Sequence, residues 1–198
     1  MDAVIREMQM TAEDLRDAED FEVCSVALTG GSPTLMGPAR MEGLLRALRK
    51  AMPVREDAEM TLEEEPALLS SAWMIFMQNQ DMNRLQIRLL SGRASDYARY
   101  GLSGSIDIAE AALILPQMFH IPHYAAELVA GFPGQSEDNL LVSSRLCVKF
   151  HTKEILFLPF QEPRSEAWRK TEGAGLERIG LDGREQLMRK ACDYLTSR

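Results

Sequence analysis

The sequence predicts an α/β domain of parallel strands. Five segments of strand character alternate with segments whose apolar residues recur at helical spacing, and the connections are only a few residues long. Two strands run directly into glycine–proline turns, Gly30-Gly31-Ser32-Pro33 and Gly131-Phe132-Pro133-Gly134. The 198 residues, 45% of them apolar, suit one domain over residues 1–198 with a single core. Periodicity alone leaves a doubly wound sheet and an open or partial barrel both standing. In either, ligands gather where strands end in loops, at the carboxyl edge of the sheet.

Taken in order, residues 3–19 place Val4, Ile5, Met8, Ala12, Leu15 and Ala18 on one face between acids, an amphipathic helix. Residues 21–29 (FEVCSVALT) switch to a mostly apolar strand. Pro38 opens a second helix, striped by Met41, Leu44, Leu45, Leu48 and Met52. A strand at 57–63, a helix at 66–77 with Trp73, Phe76 and Met77 on one side, and a strand at 84–90 repeat the alternation. Residues 91–104, rich in Gly, Ser and Arg, read as loop with room for one helical turn. Helix 106–119, strand 124–130, helix 139–150, strand 154–160 and helix 182–196 complete the order.

Lys plus Arg number 22 against 30 Asp plus Glu, a formal charge of −8, with no Lys/Arg block. A direct nucleic-acid surface needs a basic stripe to displace counterions and is not expected. Cys24, Cys147 and Cys192 are odd in number and far apart, so neither a disulfide framework nor a metal knuckle is written here. The first residues carry acids where a leader would avoid them, and no run approaches the roughly 18 apolar residues of a membrane span. The expectation is a soluble intracellular protein, of the cytoplasm or an organelle matrix.

Chemistry would sit at strand ends. In Thr29-Gly30-Gly31-Ser32-Pro33-Thr34, two glycines let a ligand approach backbone groups with no Cβ in the way; the same residues also make a plain βα turn. Thr61-Leu62-Glu63-Glu64-Glu65-Pro66 gathers carboxylates that accept from hydroxyl or ammonium groups, or simply supplies acids to a helix N-terminus. Asn83-Arg84-Leu85 leads into the third strand. Glu127 lies within the fourth, where a carboxylate needs a partner, and Arg84 or Arg88 is the candidate. His120 and His123 have a chelating spacing that Pro122 disrupts, and the 12 methionines fall on core stripes. No nucleophile elbow, Walker loop or zincin helix is present.

Five segments read together carry a resemblance. Val26-Ala27-Leu28-Thr29-Gly30-Gly31-Ser32-Pro33-Thr34-Leu35-Met36 is similar to Gly-Gly-Gly-Thr-Pro-Thr-Leu-Leu. Glu59-Met60-Thr61-Leu62-Glu63-Glu64-Glu65-Pro66 is similar to Thr-x-Glu-Ala-Asn-Pro, and Met82-Asn83-Arg84-Leu85 to Val-Asn-Arg-Leu. Residues 127–135 resemble Asp-Leu-Ile-Tyr-Gly-Leu-Pro-Gly-Gln, and residues 156–165, with Glu162-Pro163, resemble a strand followed by Glu-Pro-Gly-Thr. These are motifs of the oxygen-independent coproporphyrinogen III oxidase-like branch of the radical S-adenosylmethionine proteins, which includes related heme chaperones. The resemblance implies a six-stranded partial (β/α) barrel, of which this chain would hold about five strands, the first one missing. It implies S-adenosylmethionine at the strands' carboxyl ends: Gly30, Gly31, Ser32 and Pro33 at the methionine amino group, Glu63 as the strand-end glutamate, and Gly131, Phe132, Pro133 and Gly134 near the adenine.

The departures are as informative. The family's Cys-x-x-x-Cys-x-x-Cys, which holds a [4Fe–4S] cluster, has no counterpart, so no cluster is expected, and without one no electron reaches the sulfonium. Arg88-Leu89-Leu90-Ser91 stands where the family has Gly-Val-Gln-Ser, and the heme chaperones' His-Asn-x-x-Tyr-Trp has no match. The expected function is a degenerate, non-catalytic scaffold or subunit of a larger complex. The alternative is a piece of an active radical enzyme or heme chaperone of porphyrin metabolism whose cluster-binding part lies elsewhere. A heme-binding module would have only His120 and His123 as axial candidates. Residues 21–29 would form a long apolar parallel edge, which another chain, or the first helix, is expected to cover.

Overall fold

The computed structural model describes residues 2–15 and 21–197. Five strands, β1 (Val23–Leu28), β2 (Val54–Glu64), β3 (Arg84–Leu90), β4 (His123–Ala130) and β5 (Glu154–Pro159), lie in chain order, each parallel to the next. They curl into a half-barrel, which decides between the two arrangements the periodicity left standing. Eight helices accompany them: α1 (Asp2–Asp14), α2 (Pro38–Ala51), α3 (Ser71–Asn79), α4 (Ala94–Tyr100), α5 (Ile106–Met118), α6 (Glu137–Lys149), α7 (Glu166–Arg169) and α8 (Leu181–Thr196).

Strand parity sorts the side chains. Leu62, Leu85, Ile87, Ala126 and Leu128 point to one face and join Met41, Leu45, Met74, Met77 and Leu113 of the helices in the main core. The intervening residues of each strand occupy the other, concave face, which carries no helical layer. Helix α1 has no buried residue and packs on α2. The expected helix at 3–19 is thus seen to Asp14; its residues 16–19, Ala18 among them, lie outside the described residues.

Three stretches differ from expectation. Residues 66–77 are not one helix, because Leu69 and Ser70 are extended and split a 3-10 turn (Pro66–Leu68) from α3. The supposed loop at 91–104 holds the two-turn α4, fastened by a buried Asp96 that accepts from Ser91 Oγ at 2.6 Å and ended by Gly101 in the left-handed region. Residues 165–175 form α7 and a 3-10 turn (Glu172–Gly175), capped by the Ser165 and Thr171 hydroxyls. Trp168 there joins Tyr100, Phe132 and Phe160 in a second apolar cluster over the ends of β4 and β5.

The glycine turn after β1 is tied down by Glu64, whose side chain is fully buried on the helix face of β2. Its Oε2 accepts from the Thr34 amide at 3.0 Å and the Thr34 hydroxyl at 2.7 Å, while Oε1 accepts from the Glu65 amide at 2.8 Å. On the far side, Gly92 sits where α6 passes closest. A Cβ there would lie 2.8 Å from Ser143 Cα, and the Gly92 amide donates to Ser143 Oγ at 2.9 Å.

Two substitutions test this packing by urea unfolding. Gly92→Ala should lower stability by about 1–3 kcal/mol, since backbone must give way, whereas Gly43→Ala, inside α2 with nothing within 4 Å, should raise it by about 0.5–1 kcal/mol. Glu64→Ala, which strands three donors, should cost about 3 kcal/mol and expose the turn at 29–37 to proteolysis.

Candidate functional site

The concave face is polar, and its side chains fall into rows set by the strand register. In the row nearest the amino ends, Arg84 of β3 makes a bidentate pair with Glu154 of β5, at 3.1 and 2.5 Å, and lies 3.7 Å from Glu59 of β2. That contact holds the Glu154 carboxyl below the usual carboxylate range. In the middle row, Gln86 donates to the buried carboxylate of Glu127. Glu127 was expected to pair with Arg84 or Arg88 and pairs with neither. The register sets Gln86 beside Ala125, so the amide between the two arginines is the side chain that reaches Glu127.

The third row lies at the carboxyl edge. Here Arg88 Nη2 donates to the Gly31 carbonyl at 2.6 Å and to Glu65 Oε1 at 3.0 Å, and Arg88 Nε lies 3.6 Å from Glu63 Oε1. One guanidinium therefore joins the turn after β1, the end of β2 and the end of β3. Arg88 Nε is buried with no hydrogen-bond partner. Burial raises the Glu63 carboxyl above its ordinary range, Glu127 pushes it the same way, and Arg88 pulls it back. The acids of this cluster do not serve a helix N-terminus: Glu65 is extended and leads into the 3-10 turn, with α3 beginning only at Ser71.

Gly30 and Gly31 have φ of +83° and +139° and nothing within 4 Å of the position a Cβ would take, so their backbone is open to a ligand. Ser32 is half-buried beside them, while Pro33 opens a 3-10 turn and is buried. The structure brings these residues and Glu63 to one place, with Arg88 between them.

The second glycine turn is built differently. Gly131, Phe132 and Pro133 are buried, with Phe132 stacked 4.2 Å from Tyr100 and the Tyr100 hydroxyl donating to the Pro133 carbonyl at 2.9 Å. A Cβ on Gly131 would meet Arg184 Cγ of α8 at 2.6 Å, and one on Gly134 would meet Leu176 at 3.1 Å. This turn is covered by the chain's own residues, from Phe160 through Arg184. Leu90, with φ of +62°, turns its side chain into the same aromatic cluster.

Sequence reasoning missed two organising residues. Glu64 was legible in principle, since Met60 and Leu62 set a period of two that carries Glu64 to the core side. Arg88 was read as a departure from a motif and as a candidate partner of Glu127, not as a bridge to the glycine turn. Its bridging role depends on a turn 57 residues away and has no local signal. The remaining candidates do not assemble. Cys24, Cys147 and Cys192 sit in β1, α6 and α8. His120 and His123 lie at the amino end of β4, opposite the glycine turns. Among the described residues no three His, Cys, Asp or Glu side chains converge as a metal site.

No family model matches the chain. It is 26% identical to the heme chaperone HemW of Escherichia coli over 142 residues, 72% of this chain and 38% of that protein. It is 22% identical to an oxygen-independent coproporphyrinogen III oxidase of Cereibacter sphaeroides over 111 residues, 56% of this chain and 25% of that protein. Among solved structures, coproporphyrinogen III oxidase (HemN) from Escherichia coli, a radical SAM enzyme, superposes with a TM-score of 0.82 at 17% identity, covering 99% of this chain and 44% of that one. The chain thus spans about two fifths or less of the curated relatives it matches. Strand-end glycines and sequence likeness agree: this chain is similar to the heme chaperone and oxygen-independent coproporphyrinogen III oxidase branch of the radical S-adenosylmethionine proteins and shares their fold.

Proposed function

We propose that this chain is a non-catalytic member of that branch, a half-barrel that takes an adenosyl ligand at its carboxyl edge and serves as a scaffold or subunit of a larger assembly. The observation that carries this reading is the placement of its thiols. A [4Fe–4S] cluster, where bound, supplies the electron that cleaves S-adenosylmethionine, and it needs thiolates gathered at one point. Here the three cysteines sit on three separate elements, and burial pushes the Cys147 thiol up to about 12, away from the thiolate form. These residues do not fit the cluster.

S-adenosylmethionine is fitted in part. The open backbone of Gly30 and Gly31 and the partly exposed Glu63, an acceptor for ribose hydroxyls, support an adenosyl site at this edge. Ser32 and Pro33 complete the first turn on this reading, while Gly131, Phe132, Pro133 and Gly134, covered by Arg184 and Leu176, would only back the far side.

The scaffold role is supported by β1. It ends the sheet, pairs only with β2 among the described residues, and leaves Cys24, Ser25 and Ala27 exposed. An uncovered parallel edge recruits another strand, and we place a second polypeptide against it. A soluble setting, in the cytoplasm or an organelle matrix, belongs to the same proposal. No described helix is long and apolar enough to cross a membrane.

Two measurements test this. After anaerobic reconstitution with iron and sulfide the chain should hold far less than one cluster's iron and should not cleave S-adenosylmethionine reductively; a full complement of iron together with cleavage sinks the proposal. Maleimide labelling of the native chain should reach Cys24 and Cys192 within minutes and Cys147 only after unfolding. In a native preparation, Cys24 should be protected from that labelling by the neighbouring chain.

A further inference from the structure

The cation already seated in the glycine turn decides which ligand the edge accepts. Gly31 offers its carbonyl in a turn open to solvent, two carboxylates stand within reach, and such a set invites an ammonium group. Arg88 of this same chain occupies it: Nη2 is 2.6 Å from Gly31 O and 3.0 Å from Glu65 Oε1, and Nε is 3.6 Å from Glu63 Oε1. The arginine lies on β3, one residue past the last position paired with β2 and within the irregularity of the pairing with β4, and its side chain is only 22% exposed. A ligand ammonium that seeks the Gly31 carbonyl must displace a charge-assisted hydrogen bond and place a second cation beside the first.

We propose that Arg88 is a built-in occupant of the ammonium subsite, so that this chain excludes aminoacyl-bearing adenosyl compounds and accepts nucleoside thioethers that lack the aminoacyl group. The inference rests on the adenosyl reading above and sharpens it. Glu63 remains available to the ribose, because its approach to Arg88 is an ion pair rather than a hydrogen bond. The subsite is therefore closed at one end and open at the other.

Calorimetry on the full chain decides it, with methylthioadenosine and S-adenosylhomocysteine as probes on wild type, Arg88→Ala and Arg88→Lys. Wild type should bind methylthioadenosine and show about tenfold weaker or no binding of S-adenosylhomocysteine. Arg88→Ala should shift the ratio of S-adenosylhomocysteine to methylthioadenosine affinity by about tenfold or more toward S-adenosylhomocysteine, and Arg88→Lys, which keeps a cation in place, should still exclude S-adenosylhomocysteine. Thermal unfolding of each variant reports that it is folded, with Arg88→Lys the safeguard should Arg88→Ala not be. If wild type binds both compounds alike, or if methylthioadenosine binds and S-adenosylhomocysteine gains nothing in Arg88→Ala, the exclusion is wrong and the adenosyl site stands. If methylthioadenosine binds neither wild type nor Arg88→Lys, the adenosyl site and the exclusion fall together.

Discussion

Arg88 is the interaction on which the edge of this half-barrel depends. Glu63 lies at the end of β2, Glu65 just past it and Glu127 two strands further on β4, and without a cation among them their charges would face one another in partly desolvated surroundings. A carboxylate leaving water loses its hydration and recovers it only through a partner of good geometry. Arg88 provides that partner and at the same time pins the turn after β1 through the Gly31 carbonyl. Arg84 partners Glu59 and Glu154 two rows below. Two arginines on one central strand thus order a face that has no helical layer to pack against.

That arrangement explains which parts of the molecule were legible in the sequence. The strands were, because alternation carries Leu62, Leu85 and Leu128 to the core and its phase is local. Helix α4 was not: its seven residues look like loop in isolation, and Asp96 stabilises them only through Ser91 and Arg93, with Tyr97 buried above. The partner of Glu127 could not be read either. Three polar residues of β3 compete for it, and only the register, with its irregularity between Ile87 and Leu90, selects Gln86. Glycine turns were legible as turns, yet their exposure was not, since the cover over Gly131 comes from Arg184, far along the chain.

The two glycine turns illustrate how one motif type takes two physical roles. Both have positive φ, and both end a parallel strand at the same edge. The turn after β1 leaves its backbone in solvent, whereas the turn after β4 is roofed by Tyr100, Leu176 and Arg184. The aromatic cluster beneath that roof joins residues of α4, β4's turn, β5's end and α7, so the carboxyl edge is rigid on its β4 side and open on its β1 side. The edge thus has a covered turn on one side and an open but pinned turn on the other.

A binding site that must wait for its ligand carries unpaired groups in the free protein, and those groups cost stability until the ligand arrives. This edge differs. Gly31 carbonyl, Glu65 and Glu64 are satisfied within the chain, by Arg88, Thr34 and the Glu65 amide. The free protein is therefore folded around a hydrogen-bond set complete but for Arg88 Nε, which is buried without a hydrogen-bond partner. Its fold does not lean on ligand occupancy, which is the condition a scaffold must meet if its contacts are to persist whether or not the site is filled. The β1 edge is the reverse case: its outer backbone groups have no partner strand among the described residues, which is the observation behind the proposed neighbouring chain.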